Sequence, residues 1–408
     1  MNKYTERVEN AIDNVNDKLF GEGFIKPTGN LNEKVKKIVV ILTASRSGST
    51  LMKSILSKSD DIAYLSGEEE PYYILTKNAF PWTESDGFTE VNDKQKLLDI
   101  MFSDMGINIP FIDVRRTTID WQKRMLYQYP EMKPELHELI EQRVHEAYGN
   151  SDNYEESTKR FINSFMPDKR GYYDLFAKDK QLFTEQIKIE EPPFVIPSKK
   201  RSFTEEDAAT HPLLFKTPQD CYRIGLFENL FPNAEIKYIH LSRGFAQTTN
   251  GLMDGWLSDN GFFAHNMESQ DLELNIKGYS DVKAFGKKWW KFDLPANWKQ
   301  YTNSTLEQVC LNQWYTAHNS ILESKVHTMR VKFEDFLISP QEIADDICDY
   351  IGIPHVEIGV MPVTMATDEP GLYRWKKREH EMNWLAKEPH VQDMMYRLGY
   401  SMNTDKWI

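Results

Sequence analysis

The stretch that decides the fold is Lys37-Ile-Val-Val-Ile-Leu42 with the ten residues after it, Thr43 to Met52, which read TASRSGSTLM. The apolar run predicts a buried strand, and the small polar residues predict a tight turn into a helix from Ser49 to Leu56. Small side chains let the backbone approach an anion, and N–H groups at a helix N-terminus attract negative charge. Because Arg46 adds a cation, we interpret this unit as a phosphate-binding site; an ordinary strand-to-helix turn is the alternative.

The loop differs from the common ATP-binding pattern GxxxxGK[ST]. That pattern requires a lysine after its second glycine, and Ser49 stands there instead. The pattern's first glycine is also missing. A loop for a different phosphate ligand is therefore favoured.

Further apolar runs alternate with helical patterns along the chain. The predicted strands after the first one are 61–65, 211–216, 235–241 and 328–333. This alternation predicts an α/β fold, a parallel sheet flanked by helices, in one domain spanning 1–408. Outside the alternation lie an N-terminal helical segment within 1–30, a helical insertion at 80–210 and an irregular insertion at 258–300.

Composition limits the partners of this chain. The net charge of −13 and the pI near 5.4 predict that it binds neither nucleic acid nor an anionic membrane. The polar N-terminus and the lack of a long apolar run lead us to expect a soluble, cytoplasmic protein. Three cysteines without paired spacing are expected to be buried apolar residues. The segment Lys287-Lys-Trp-Trp-Lys291 could stack bases, but we favour a helix that buries both tryptophans.

Polar side chains follow four of the predicted strands. Arg46 follows the first, Glu68 and Glu69 the second, Lys216 the third and Arg243 the fourth. Ligands of parallel α/β sheets bind outside the carboxyl ends of the strands. We therefore expect these side chains to share one edge of the sheet, whereas His240, inside its strand, is expected to be a core residue.

Several segments together resemble the sulfotransferases that use 3′-phosphoadenosine 5′-phosphosulfate. The loop resembles that family's P-[KR]-S-G-[ST]-T motif, with Ser45 in place of proline. Three later segments resemble the family as well: LLFKTP (213–218), FPNAEIKYIHLSR (231–243) and VKFEDFLISPQEIADDICDYIGI (331–353). The resemblance implies that the phosphosulfate is the donor and that Arg243 binds its 3′-phosphate. It also implies that the loop binds the 5′ end through Arg46, Ser47, Gly48, Ser49, Thr50 and Leu51.

The chain departs from this family at one position. The family usually has a serine eight residues after the arginine, where this chain has Gly251. Thr249 or Asn250, or backbone N–H groups, could replace its contact with the 3′-phosphate. A C-terminal loop over the nucleotide is implied as well, and Arg374, Trp375 and Lys376 resemble it.

The resemblance also suggests roles in sulfuryl transfer. Arg46 would stabilise the departing phosphate and Lys216 the bridging oxygen and transferred group, so that no metal is needed. The histidine base of one branch is excluded, because Pro218 occupies its position. In other branches a glutamate after the second strand is the base, which makes Glu69 the first choice and Glu68 the second; helix N-terminal carboxylates are the alternative.

The acidic and aromatic insertions favour a small-molecule acceptor, neutral or cationic, such as a metabolite or natural product, with its hydroxyl or amine as the sulfated group. Two other functions stay open at this stage. One is an ATP-dependent kinase using the same loop, and the other is a nucleotide-binding module without turnover. The sequence predicts neither the acceptor nor the oligomeric state.

Overall fold

The computed structural model describes residues 2–131, 136–165, 187–191, 195–361, 367 and 371–408. Within these residues the strands are β1 Lys37–Thr43, β2 Ala63–Tyr64, β3 Gly106–Asn108, β4 Lys200–Ser202, β5 Leu213–Phe215, β6 Glu235–Ser242, β7 Phe263–Asn266, β8 Trp289–Lys291 and β9 Thr328–Lys332.

The helices of the N-terminal half precede β5. They are α1 Lys3–Gly21, α2 Leu31–Lys34, α3 Ser49–Leu56, α4 Glu70–Leu75, α5 Lys94–Asp104, α6 Val114–Gln128, α7 Leu136–Tyr148, α8 Tyr154–Phe165 and α9 Glu205–Thr210. The remaining helices are α10 Leu226–Leu230, α11 Phe245–Leu257, α12 Leu306–Ser324, α13 Phe333–Ile338, α14 Pro340–Ile351, α15 Glu379–Leu385 and α16 Pro389–Arg397. Short 3₁₀ turns include Pro218–Tyr222 and Arg374–Arg378.

A seven-stranded sheet organises the fold, with the order β4-β3-β2-β5-β1-β6-β9. Five consecutive strands run parallel to one another, in the order β2, β5, β1, β6 and β9. Strand β3 pairs antiparallel with both β2 and β4. The predicted α/β class with a parallel sheet flanked by helices is thereby confirmed. A separate antiparallel pair, β7–β8, lies in the second insertion.

Both faces of the central strand are covered. Along β1, Ile38, Val40 and Leu42 belong to one apolar cluster, while Val39 and Ile41 belong to another on the opposite face. A continuous apolar strand is what burial on both sides requires. The first cluster includes the apolar face of α1, and the second includes residues of α3 and α14.

The described part of residues 80–210 contains helices α5 to α9, and it also extends the sheet. Helices α6, α7 and α8 enclose an apolar cluster of their own around Trp121 and Phe161. Strands β3 and β4 come from the same insertion, and the sequence analysis missed both, since three-residue strands carry too little periodicity to recognise.

One local prediction was wrong. Residues 289–291 form strand β8 rather than a helix, although Trp289 and Trp290 are both buried. Farther along the chain, Thr217 is followed by a 3₁₀ turn and then by the short α10.

Other local predictions are confirmed. Cys221, Cys310 and Cys348 are buried and unbridged, and His240 lies in the core. Among the described residues, every helix is too short or too polar to cross a bilayer.

Candidate active site

The turn between β1 and α3 has the backbone of a close-approach loop. Arg46 and Gly48 both have positive φ, at 68° and 92°. A Cβ atom on Gly48 would lie 2.1 Å from the ring of Phe333, so only glycine fits there. This glycine begins α3, whose first N–H groups point to the same edge of the sheet as the carboxyl end of β1.

The four predicted strand-end groups come from four consecutive strands. Strands β2, β5, β1 and β6 are neighbours in that order, so Glu68, Lys216, Arg46 and Arg243 lie along one edge. The Lys216 ammonium donates to Thr50 Oγ1 over 3.0 Å and forms an ion pair with Glu68. Arg243 Nη1 donates to the Arg46 carbonyl over 3.2 Å. The structure therefore brings these predicted residues together.

Glu68 and Glu69 have very different surroundings. The Glu68 side chain is 39 % exposed and accepts hydrogen bonds from Lys216 Nζ and, over 3.2 Å, from Thr217 Oγ1. Glu69 is fully buried, with one oxygen accepting from the backbone N–H of Lys216 over 2.8 Å. Burial raises the pKa of Glu69, opposed by the nearby Lys53 ammonium. Glu68 is thus the carboxylate that a substrate can reach.

Lys53 supports the segment that carries these glutamates. It is buried in α3, and its ammonium donates to the Gly67 carbonyl. Burial lowers the pKa of Lys53 to about 8, although Glu69 counteracts this. Lys53 therefore ties the start of α3 to the loop after β2.

Cations are crowded on the other side of the loop. Desolvation lowers the pKa of Arg46 to about 10, and repulsion from Arg243 and Arg374 contributes. Desolvation and Arg374 likewise lower the pKa of Arg243. Asp254 on α11 is a counter-charge, and accepts from Arg374 over 3.1 Å. Such crowding of positive charge at a helix start favours binding of an anion.

Two further basic residues join this cluster. Lys377 and Arg378 each bind Asp254, at 2.6 and 2.7 Å, and Arg378 also donates to Asn250 Oδ1. Gly251 lies beside Arg46, because a Cβ at this glycine would be 3.5 Å from the Arg46 Cβ. Thr249 is fully enclosed, and its hydroxyl has no hydrogen-bond partner among the described residues.

The other C-terminal residues suggested by the resemblance have structural contacts. Trp375 is 1 % exposed, and its Nε1 donates to the Trp407 carbonyl over 2.7 Å. The exposed Lys376 ammonium lies 4.8 Å from the centre of the Tyr373 ring. Of the three residues named from the resemblance, Arg374 is the one that joins the cation cluster.

A buried carboxylate lies behind the loop. Asp293 accepts from Ser45 Oγ over 2.6 Å and from the Tyr222 hydroxyl over 2.8 Å. Burial raises the pKa of Asp293 to about 6. Ser45, where the resemblance expects proline, thus links the loop to the second insertion.

The sequence analysis missed Lys53, Asp254, Lys377, Arg378 and Asp293. The run of basic residues from Arg374 to Arg378 was a usable signal for two of them. Lys53 is one helical turn after Ser49 and Thr50, a spacing that places it on the same face of α3. Asp254 and Asp293 have no local signal, since their partners lie far away in the sequence.

These observations define a class: an α/β protein with a glycine-containing turn between a central strand and a helix, and with a cluster of basic residues at the carboxyl edge of its sheet. No family model matches the chain, and no curated protein matches it.

Solved structures similar to it include the sulfotransferase domain from the curacin biosynthetic pathway, at 13 % identity over 90 % of this chain and 99 % of that chain, with a TM-score of 0.39. The sulfotransferase domain of the Synechococcus PCC 7002 olefin synthase matches at 12 % identity over 90 % and 96 %, with a TM-score of 0.36. Sulfotransferase STF9 from Mycobacterium avium matches at 11 % over 96 % and 83 %, with a TM-score of 0.37. Likeness at this level says nothing about activity.

Proposed function

We propose that this protein is a sulfotransferase that moves the sulfuryl group of 3′-phosphoadenosine 5′-phosphosulfate to a hydroxyl or amine of a small molecule. One observation carries the proposal: Arg46, Lys216 and Arg243 converge from three adjacent strands on a glycine-containing helix start, and a partly exposed carboxylate contacts Lys216. This arrangement offers separate positions for two phosphates and a base beside the point of transfer.

The two ends of the donor would use different parts of the basic pocket. Residues 46–51 and the N–H groups of α3 suit the 5′-phosphosulfate, because small side chains and Gly48 allow close backbone approach. Arg243, with Arg378 and Asn250 nearby, suits the 3′-phosphate and supplies polar groups near Gly251. Bound phosphate would also relieve the repulsion among Arg46, Arg243 and Arg374.

Lys216 and Glu68 would act at the transfer step. An anionic group beside Thr50 lies within reach of the Lys216 ammonium, which can stabilise charge on the bridging oxygen as the sulfur–oxygen bond breaks. Glu68 then accepts the proton of the acceptor as its oxygen or nitrogen bonds to sulfur, and the nucleoside bisphosphate leaves. The exposure of Glu68 reverses our order of preference between the two glutamates.

Calorimetry with 3′-phosphoadenosine 5′-phosphate tests the donor site. We expect micromolar binding, and we expect Arg243→Ala to weaken it at least tenfold, because that variant removes a cation from the pocket. Arg330→Ala is the matched control, since Arg330 is an exposed arginine on the adjacent strand β9. It should bind the bisphosphate like the wild type.

Three outcomes would contradict the proposal. Tighter binding of ATP with magnesium than of the bisphosphate would indicate a kinase. Binding of the bisphosphate without release of sulfate or sulfated product from the labelled phosphosulfate, across an acceptor screen, would indicate a nucleotide-binding module. If the protein binds neither nucleotide, the basic pocket is not a site for the phosphosulfate donor.

A further inference from the structure

A short segment of the first insertion, residues 187–191, contacts both sides of the candidate active site. Its two neighbouring glutamates bind different elements: Glu190 binds α6 and Glu191 binds the turn that precedes β7. We call residues 187–191 the bridging segment. None of its residues belongs to the donor or base residues assigned above.

Glu191 holds a turn with an unusual backbone. Gly261 and Phe262 both have positive φ, at 84° and 65°. The N–H groups of Phe262 and Phe263 donate to the two Glu191 oxygens over 2.5 and 2.8 Å. Successive N–H groups in such a turn form a concavity that binds an anion, and here the anion is the Glu191 carboxylate. A non-glycine residue at φ 65° is strained, and this carboxylate helps to offset the strain.

The turn places an aromatic ring against the loop arginine. The guanidinium carbon of Arg46 lies 5.0 Å from the centre of the Phe262 ring. Phe292 also packs on this ring, with ring centres 4.8 Å apart and planes at 26°. Phe292 fits at this position because Gly255 lacks a Cβ atom. A Cβ at residue 255 would lie 2.2 Å from the Phe292 ring. The Phe262 ring thus contacts both Arg46 and Phe292.

On the side of Glu190, the bridging segment packs near the loop that carries Glu68. The Glu190 side chain pairs with Arg124 and accepts from Gln128 over 2.7 Å. A Cβ on Gly67, the residue before Glu68, would lie 3.4 Å from Glu190 Oε2. The bridging segment therefore lies against the loop of the proposed base while it holds the turn that contacts Arg46.

We propose that the bridging segment sets the position of Arg46 relative to Glu68, with Glu191 as a positioning residue that acts through the Phe262 turn. This inference rests on the proposed function and adds residues to it. Displacement of a catalytic group by about 1 Å can cost about a hundredfold in rate. Glu191 should therefore affect turnover more than donor affinity, because Arg243 and the N-terminus of α3 bind the nucleotide independently of it.

The test uses Glu191→Gln in the full chain, with three measurements. Hydrogen exchange at the amides of Phe262 and Phe263 should accelerate at least tenfold, since glutamine offers a single acceptor oxygen. Release of the bisphosphate from the phosphosulfate with water as acceptor should slow at least tenfold. The dissociation constant of the bisphosphate should change less than threefold. The control is Glu273→Gln, which alters an exposed glutamate of the second insertion.

Phe262 gives a second, independent test. Phe262→Leu should show the same loss of turnover, and Phe262→Tyr, which keeps the aromatic face, should recover most of it. Faster amide exchange in Glu191→Gln with turnover within twofold of the wild type would overturn the inference, as would an equal loss in Glu273→Gln. A wild-type protein that neither binds the bisphosphate nor releases it from the phosphosulfate would instead overturn the proposed function.

Discussion

At the scale of single residues, Lys216 is the side chain most directly tied to chemistry. It is 3 % exposed, yet its ammonium reaches both Thr50 and Glu68. We expect Lys216→Ala to lower kcat/KM about a hundredfold or more, equivalent to about 3 kcal/mol of transition-state stabilisation, with less than a threefold change in bisphosphate affinity. Steady-state kinetics and calorimetry measure the two effects. Lys36→Ala, at an exposed position before β1, is the control.

Equal losses in kcat/KM and bisphosphate affinity for Lys216→Ala would show that this lysine only binds the nucleotide. That result would remove it from the transfer step.

The two glutamates make a sharper comparison, because they are adjacent in sequence and differ in exposure. We expect Glu68→Gln to lower kcat by about 10²–10⁴ while bisphosphate binding persists, since amides accept no proton at neutral pH. Glu69→Gln should lower kcat less than tenfold. The measurement is kcat of each variant across pH, with an acceptor that the wild type sulfates. The reverse ranking would restore Glu69 as the base and assign Glu68 to orienting Lys216.

At the scale of elements, the turn between β1 and α3 depends on Gly48. We expect Gly48→Ala to abolish bisphosphate binding and to lower the melting temperature, because a Cβ meets the Phe333 ring and φ is 92°. Gly251→Ala is the matched variant on α11. Its Cβ would have an ordinary contact with Arg46 at 3.5 Å, and alanine stabilises a helix by about 0.5–1 kcal/mol relative to glycine.

Thermal unfolding and calorimetry compare these glycine variants. A Gly48→Ala protein that binds the bisphosphate normally would show that this turn is not the phosphate cradle. A large loss of binding in Gly251→Ala would show that the space beside Arg46 is needed by the ligand.

At the element scale, sequence patterns predict some strands and helices and miss others. The sequence predicted α3 with the bounds that the structure has and β6 to within one residue, because a turn of small residues and a run of apolar residues both leave a local record. Strand β8 was mistaken for a helix, since a run of two tryptophans between lysines has no distinct period. Its burial depends on α11 and on β7, which the local sequence does not contain.

At the scale of the whole molecule, buried histidines couple the core to pH. His240 Nε2 and His318 Nδ1 are 2.9 Å apart in the core, and burial lowers the pKa of His240 to about 4 and that of His318 well below its usual value. The unfolded chain, with histidine pKa values near about 6.5, binds protons that the native state excludes. Stability from this pair is therefore fully present above about pH 6.5 and is lost as pH falls towards 4.

We expect the free energy of unfolding of the wild type to decrease by about 3 kcal/mol from the His240 site alone between pH 6.5 and 4. His240→Gln should flatten this part of the pH profile, whereas His327→Gln, at an exposed position, should leave it unchanged. Chemical denaturation at several pH values gives the slopes. Parallel profiles for wild type and His240→Gln would mean that other groups cause the acid sensitivity.

The sequence alone determined the α/β class, the strand, turn and helix around Arg46, and the set of strand-end groups, because these follow from local periodicity, small residues and strand polarity. Only the tertiary structure decided that the four strands are consecutive neighbours, that Glu68 rather than Glu69 is exposed, that Arg378 binds Asn250 on α11, and that Phe262 lies beside Arg46. The physical reason is that strand order, side-chain exposure and contacts across long sequence separations arise from packing of the whole chain, which leaves no periodic trace in any one segment.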